Sequence, residues 1–219
     1  MLDRHYGCPR MIEIRTVRAT DLDALYHIAL LSGDGGADAS ALYRDPKMIG
    51  HIYAAPYAKL CPETVFVAED ESGVSGYIVG AADTPGFEAR LETEWWPALR
   101  ATYPSPSNMP PAEWTPDQRR AHTIHHPRTT PAEITNAYPS HLHINLLPRL
   151  RGRGVGRALI DRWLAAVCEM GSTGAHLAVG RTNTRAIRFY LAYGFCELTG
   201  SPHPVAGAAW FGIVPRRGM

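Results

Sequence analysis

The feature that most constrains this 219-residue chain is a glycine-rich turn at residues 151–157, Arg-Gly-Arg-Gly-Val-Gly-Arg. Residues 141–147 before it alternate polar and apolar side chains and then become fully apolar, which predicts a strand entering a core. After the turn, apolar residues recur at four-residue spacing from Val155 to Val167, which predicts an amphipathic helix that Gly171 ends. The turn therefore joins a strand to the N-terminus of a helix.

Such a turn is suited to binding phosphate. Gly152, Gly154 and Gly156 leave main-chain N–H groups unshielded by side chains, and the helix N-terminus adds partial positive charge and unpaired donors. The alternative is a tight, arginine-rich connection without a ligand. The turn is not a P-loop, because no Gly-Lys-Ser/Thr follows it, and Leu159 occupies the third small position of the dinucleotide fingerprint.

The segments after this helix continue an alternation of strands and helices. Residues 174–180 predict a short buried strand, and Asn183 can then cap a helix that Gly194 ends. Residues 195–199 predict a further strand, which we expect to pair with a closing strand at 208–214.

Three motifs in this order resemble the GNAT (GCN5-related N-acetyltransferase) superfamily: Arg151-x-x-Gly154-x-Gly156, Asn183, and Phe-Tyr-Leu-Ala-Tyr-Gly-Phe at 189–195. The resemblance implies an α/β (α+β) GNAT fold, with a mixed central sheet of about six to seven strands flanked by helices. It also implies an acetyl-CoA-dependent N-acetyltransferase that transfers the acetyl group directly to an amine of a small molecule or peptide. The acceptor itself is not indicated.

The N-terminal part of the chain fits the opening of that fold. Residues 12–17 predict a first strand, and Thr20 or Asp21 can cap a helix through about Leu31. Residues 41–60 predict one or two short helices interrupted by prolines, in a region that forms part of the acceptor wall in GNAT enzymes. Residues 64–82 predict a hairpin.

Residues 84–138 predict an insertion between the third and fourth strands of a single domain spanning 1–219. The insertion is rich in proline and contains three tryptophans, which favour a packed structure over a long irregular loop. We expect helices near 87–100 and 116–125 and a short turn at 131–137. The insertion could cover the acceptor cleft or support a homodimer, and the sequence leaves both possibilities open.

Stretches within 65–83, 94–97 and 137–142 are similar to the acetyltransferase-like domain at the C-terminus of O-GlcNAcase, and the chain resembles a free-standing bacterial relative of that domain. The fused animal domain lacks an intact pyrophosphate loop and is regarded as a pseudo-acetyltransferase. This chain keeps Arg151, Gly154, Gly156 and Asn183. Two functions remain open, an active transferase and an inactive CoA-binding or protein-interaction domain.

The GNAT resemblance also implies which residues contact acetyl-CoA. The main chain of residues 145–147 would pair with the pantetheine arm where the fourth and fifth strands splay, and the glycine turn would hold the pyrophosphate. The implied contacts are Asn145, Leu146, Leu147, Arg151, Gly152, Arg153, Gly154, Val155, Gly156, Arg157, Asn183 and Tyr190.

Two side chains are candidates for proton transfer. Tyr190 occupies the position of the family's thiolate-protonating tyrosine, and the alternative is a core aromatic on a helix face. His141 is the candidate base, since it shares a strand face with His143 and Asn145 and a histidine titrates near neutral pH. Either histidine could instead support a buried polar network.

Composition excludes several other classes of function. The formal net charge is +1, so no basic field indicates nucleic-acid binding. No apolar run approaches the ~20 residues of a membrane span, and no signal core begins the chain, so we expect a cytoplasmic protein without a membrane partner. We expect Cys168 and Cys196 in the core. His122, His125 and His126 lack the cysteine or carboxylate set of a zinc site, so we expect no metal.

Overall fold

The computed structural model describes residues 12–106, 110–199 and 207–215. Its centre is a seven-stranded mixed sheet in the order β1-β2-β3-β4-β5-β7-β6, and among these strands only β4 and β5 pair in parallel. The strands are β1 Glu13–Thr16, β2 Phe66–Asp70, β3 Gly73–Ala81, β4 Ser140–Leu146, β5 Ala175–Gly180, β6 Cys196–Glu197 and β7 Ala208–Ile213. The prediction of a mixed central sheet of about six to seven strands is confirmed.

Helices cover both faces of this sheet. They are α1 Leu22–Leu31, α2 Met48–Tyr53, α3 Ala55–Leu60, α4 Thr84–Arg90, α5 Trp96–Thr102, α6 Pro116–His125, α7 Ala132–Ala137, α8 Val155–Glu169 and α9 Thr184–Tyr193. A π-helical turn at Leu91–Trp95 joins α4 to α5. Four of these helices, α4 to α7, belong to the insertion, so its predicted position between the third and fourth strands and its helical character are confirmed. The expectation of a short turn at 131–137 is wrong, since these residues form helix α7.

Two hydrophobic cores lie on opposite faces of the sheet. Tyr77 and Val79 of β3 point into the core beneath α1, α2 and α3, whereas Ile78 points into the core beneath α8. All three side chains are completely buried. Because β3 is covered on both faces, its sequence is a nearly continuous apolar run rather than an alternation. On the second face, Leu159 and Trp163 of α8 carry the apolar stripe that the four-residue spacing predicts.

The insertion packs into the first of these cores rather than standing apart from it. Phe87 and Trp96 are buried there, and the indole Nε1 of Trp95 donates to the carbonyl of His51 in α2 over 2.9 Å. The backbone N–H of Arg44, before α2, donates to the carboxylate of Asp117 in α6. The insertion therefore forms a continuous wall with α2 and α3.

The prediction that Cys168 and Cys196 are core residues is wrong, since both are exposed. Cys168 follows the buried Val167 on α8 but lies off its apolar stripe, and Cys196 belongs to the two-residue strand β6, where both side chains are exposed. In the part of the chain that the structure describes, no helix has the length and apolar character needed to span a membrane.

Candidate active site

The candidate site is a cleft where β4 and β5 separate. The two strands pair at only two positions, Ser140 with Ala175 and His141 with His176. Beyond them, residues 142–146 of β4 and 177–180 of β5 line a cleft of about 610 Å³, which is also lined by residues of α9 and of the glycine turn. A concave site of this volume is typical of ligand-binding pockets.

The glycine turn lies at the mouth of the cleft. Gly152 (φ 72°) and Gly154 (φ 78°) have left-handed backbone conformations, and a Cβ added at either would meet no atom within 4 Å. Gly154 is the N-cap of α8, and neither a side-chain cap nor an acidic residue occupies the first turn of that helix. The N-terminus of α8 therefore faces open space with its donors uncovered, as an anion site requires.

Arg151, Arg157 and Arg185 lie around this turn and line the cleft. Arg151 donates from Nε to the carbonyl of Leu146 (3.1 Å) and from Nη2 to the carbonyl of Gly36 (2.8 Å), and Arg185 also donates to Gly36 (3.4 Å). Burial and the neighbouring Arg185 lower the pKa of Arg151. Arg157 lies over the ring of Tyr193, at 5.0 Å from its centroid. The cleft thus has a positively charged mouth.

The residues that line the cleft differ from the predicted set of contacts. Arg153 is exposed and lies outside the cleft, whereas Arg151 and Arg157 line it. Gly36 and Arg185 also line the cleft but were not predicted. Gly36 comes from the Gly33-Asp-Gly-Gly turn after α1, far away in sequence, and only the fold brings it to this place.

The backbone prediction for residues 145–147 is corrected by the alternation of strand hydrogen bonds. The N–H of Leu147 donates to the carbonyl of Ser75 in the strand next to β4, so it is not available to a ligand. Because successive residues of a strand direct their backbone groups to opposite edges, Asn145 also faces β3. By the same alternation, Leu146 and the unpredicted Ile144 direct their backbone groups to the other edge of β4, which borders the cleft. The side-chain nitrogen of Asn145 donates to Oγ of Ser32 over 2.6 Å.

Asn183 and Tyr190 line the far wall of the cleft. Asn183 is the N-cap of α9, and its Oδ1 accepts the N–H of Ala186 over 3.1 Å, so its side-chain amide nitrogen is left for a ligand. Tyr190 is 7% exposed and packs edge-on against Phe195, with 5.5 Å between ring centroids. Its hydroxyl has no hydrogen-bond partner among the described residues. Burial raises the pKa of Tyr190, so the hydroxyl is protonated at neutral pH.

His141 does not line the cleft, and both of its ring nitrogens are already hydrogen-bonded. Its Nε2 lies 2.8 Å from the hydroxyl of Tyr57 and its Nδ1 lies 2.9 Å from Oγ1 of Thr84. Thr84 donates its one hydroxyl proton to the carbonyl of Pro139, so it must accept from Nδ1–H, and Nε2 then accepts from Tyr57. This arrangement argues against His141 as the direct base.

His143, two residues further along β4, lies in the cleft, where His141 was predicted to act as the base. Its ring lines the cleft, lies edge-on to Tyr53 and Tyr57 at 5.5 and 5.7 Å, and makes no hydrogen bond within the described segments. Burial and the nearby His176 lower the pKa of His143 to about 4. The imidazole is therefore neutral at physiological pH and has a free nitrogen lone pair.

Comparisons with known proteins agree with this geometry. A family model described as an acetyltransferase (GNAT) domain matches residues 128–197, which include β4, the glycine turn, α8, β5 and α9. The crystal structure of SsHAT superposes with a TM-score of 0.84 at 36% sequence identity, covering 93% of this chain and 98% of that chain. The chain belongs to the GNAT superfamily.

Two further proteins are similar to this chain in sequence. Protein O-GlcNAcase of Rattus norvegicus is 23% identical over 190 residues, which are 86% of this chain, and the chain spans only 20% of the length of that protein. The GCN5-like protein acetyltransferase Rv2170 of Mycobacterium tuberculosis is 26% identical over 175 residues, covering 79% of this chain and 80% of the relative. The structure of yncA from Salmonella typhimurium with its cofactor acetyl-CoA shares the fold, with a TM-score of 0.52 at 13% identity over 93% of each chain.

Proposed function

We propose that this GNAT chain is a single domain, 1–219, that transfers an acetyl group from acetyl-CoA to an amine of a small molecule or peptide. One observation carries the proposal: a single cleft between β4 and β5 is lined by the open glycine turn, by Tyr190 and by His143, and neither of these two side chains has a hydrogen-bond partner in the described part of the chain. A structural neighbour with the same fold was solved with acetyl-CoA, which supports the choice of donor.

The residues present fit the cofactor. The open N-terminus of α8 and the turn at 151–157, with Arg151 and Arg157 beside it, would hold the pyrophosphate. The backbone groups of Ile144 and Leu146 that face the cleft would pair with the amide-containing arm as a neighbouring strand does, and the amide nitrogen of Asn183 would add a donor. When bound, acetyl-CoA supplies the thioester whose acetyl group is transferred.

The chain's own residues then supply the proton transfers. Tyr190 keeps its proton because burial raises its pKa, and it would donate that proton to the departing thiolate. His143 is neutral and would accept the proton of the attacking amine. His141 does not reach the cleft, and we assign it a positioning role, since its Nε2 fixes the hydroxyl of Tyr57 beside His143.

Replacing His143 by glutamine is expected to lower kcat about tenfold, which is less than the usual ~10²–10⁴-fold contribution of a general base, because a base whose pKa is about 4 lies far from neutral pH. The wild-type profile should show no histidine limb between about pH 5 and pH 8, since activity that needs the neutral ring is lost only as the pH falls through about 4. Steady-state kinetics across this range test both points, and His27→Gln, on the exposed face of α1, is the matched control. A fall in wild-type activity around pH 6.5 that is absent in His143→Gln would contradict the lowered pKa of His143.

The proposed function is tested by calorimetry with acetyl-CoA and by thiol release over a panel of amines. We expect one acetyl-CoA to bind per chain and CoA to be released faster in the presence of at least one class of amine. Binding without amine-dependent release would support the alternative, a catalytically inactive CoA-binding domain, which the similarity to O-GlcNAcase makes the second candidate. Absence of acetyl-CoA binding would remove both.

A further inference from the structure

Arg120 of the insertion is a half-buried cation whose partners are all neutral. On α6, it donates from Nε to the hydroxyl of Tyr43 (3.1 Å) and from Nη1 to the hydroxyl of Tyr53 (3.0 Å), and its guanidinium carbon lies 5.5 Å from the centroid of the Tyr53 ring. No carboxylate in the described part of the chain forms an ion pair with it. By contrast, Arg15 and Arg100 each bond a carboxylate.

This set of partners leaves the guanidinium incomplete. A guanidinium has five N–H donors, of which Arg120 uses two, and its planar fork matches the two oxygens of a carboxylate. Removing a cation from water costs free energy that a paired anion offsets, and the hydroxyls of Tyr43 and Tyr53 offset it only in part. Tyr43 and Tyr53 fix the orientation of Arg120 without neutralising its charge. An anionic partner from outside the chain would complete the site.

The position of Arg120 connects it to the proposed chemistry. The ring of Tyr53 contacts the guanidinium, and it also lies edge-on to the imidazole of His143, with 5.5 Å between centroids. His143 lines the cleft. The guanidinium carbon of Arg120 and the imidazole centroid of His143 each lie 5.5 Å from the centroid of the Tyr53 ring, so one small molecule or one peptide terminus is long enough to reach from the cation to the proposed proton acceptor.

We propose that the acceptor is an amine that also carries a carboxylate, such as an amino acid or an acidic peptide, and that Arg120 binds this carboxylate while the amine lies at His143. This proposal rests on the proposed function, because it names the acceptor class for the same cleft. It also gives the insertion a role, since α6 supplies a specificity residue to a site otherwise built by β4, β5 and α9.

The test uses matched amines that differ only in the carboxylate: amino acids, each beside its decarboxylated amine. With the full-length wild-type protein and acetyl-CoA, we expect kcat/KM to be at least about tenfold higher for the carboxylated member of a pair. In Arg120→Gln this preference should disappear through a higher KM for the carboxylated amine, with kcat for the neutral amine within about twofold. Arg120→Lys should restore part of the preference, because it restores the charge without the planar fork.

Arg100→Gln is the matched control, because it also removes a cation from the insertion. Arg100 bonds Glu92 and the carbonyl of Ile124, so its loss perturbs packing of the insertion without touching Tyr53. We expect this variant to keep the preference for carboxylated amines. If Arg100→Gln and Arg120→Gln change kinetics alike, Arg120 only supports the insertion and the proposal is overturned.

A second readout does not require turnover. Calorimetry measures binding of the N-acetylated amino acids to the protein saturated with CoA, and Arg120→Gln should weaken that binding at least about tenfold. If neutral amines react as well as carboxylated ones, or if the acids bind wild type and Arg120→Gln equally, the carboxylate site is excluded. Failure of the proposed function is recognised separately, as absence of acetyl-CoA binding or of release with every amine. In that case equal or absent binding of the acids still overturns this proposal.

Discussion

Gly154→Ala is expected to weaken acetyl-CoA binding about 100-fold, the largest effect on affinity that we expect from a single methyl group in this chain. Gly154 has φ 78°, a conformation that costs other L-residues about 1–2 kcal/mol. To relieve that strain the turn must shift, which moves the N–H groups at the start of α8. The added methyl would also enter the open space at Gly154, where the phosphates are proposed to lie. Calorimetry with acetyl-CoA measures the loss.

Gly171→Ala separates backbone strain from the effect on the ligand. Gly171 has φ 91°, and a Cβ there also meets no atom within 4 Å, but it lies at the opposite end of α8, away from the cleft. The two variants should therefore lose similar stability in thermal unfolding, whereas acetyl-CoA affinity should fall only in Gly154→Ala. Equal affinities in both variants would show that the glycine turn is not the phosphate site.

Tyr190→Phe is expected to lower kcat about 100-fold while leaving the affinity for acetyl-CoA within about twofold. The substitution removes only the hydroxyl, and the buried ring keeps its contact with Phe195. The thiolate then departs without a positioned acid. The loss should be smaller with thioester donors whose thiol is more acidic, since such a leaving group needs less protonation. Thiol release with donors of graded leaving-group pKa measures this dependence.

Tyr193→Phe is the matched control, one turn further along α9. The hydroxyl of Tyr193 is already committed as a donor to Asp161, so its removal is expected to change kcat less than about twofold. A kcat in Tyr190→Phe equal to that of wild type would remove Tyr190 from the mechanism. It would also favour the alternative in which this tyrosine is only a core aromatic.

The elements whose signals are local in sequence were predictable. Helix α6 begins at Pro116 and ends at His125 as predicted, because Thr115 and Gln118 form a capping box and a proline follows the cap. The glycine turn was predictable because Gly152 and Gly154 occupy left-handed backbone positions, which favour glycine, so the turn can be recognised from the spacing of its glycines. The seven-stranded sheet followed from the resemblance together with these signals.

The details of the site were less predictable because they depend on contacts between distant segments. The alternation of residues along β4 does not show which of His141 and His143 is the candidate base, since both side chains point to the same face of the sheet. It is decided by Tyr57 and Thr84, which occupy the ring nitrogens of His141. The prediction that three consecutive residues, 145–147, present their backbone groups to the ligand could have been avoided. In a strand whose one edge is paired, only every second residue directs its backbone N–H and C=O to the other edge.

The two-pair contact between β4 and β5 has a mechanical consequence. It divides the sheet into two half-sheets, β1-β2-β3-β4 and β5-β7-β6, whose shared seam has main-chain bonds at one end alone. A ligand that forms hydrogen bonds with the facing edges of both β4 and β5 would take the place of a missing strand and connect the two half-sheets along their length. Loading the cleft would therefore stiffen the whole molecule, and the empty protein would open most easily along this line.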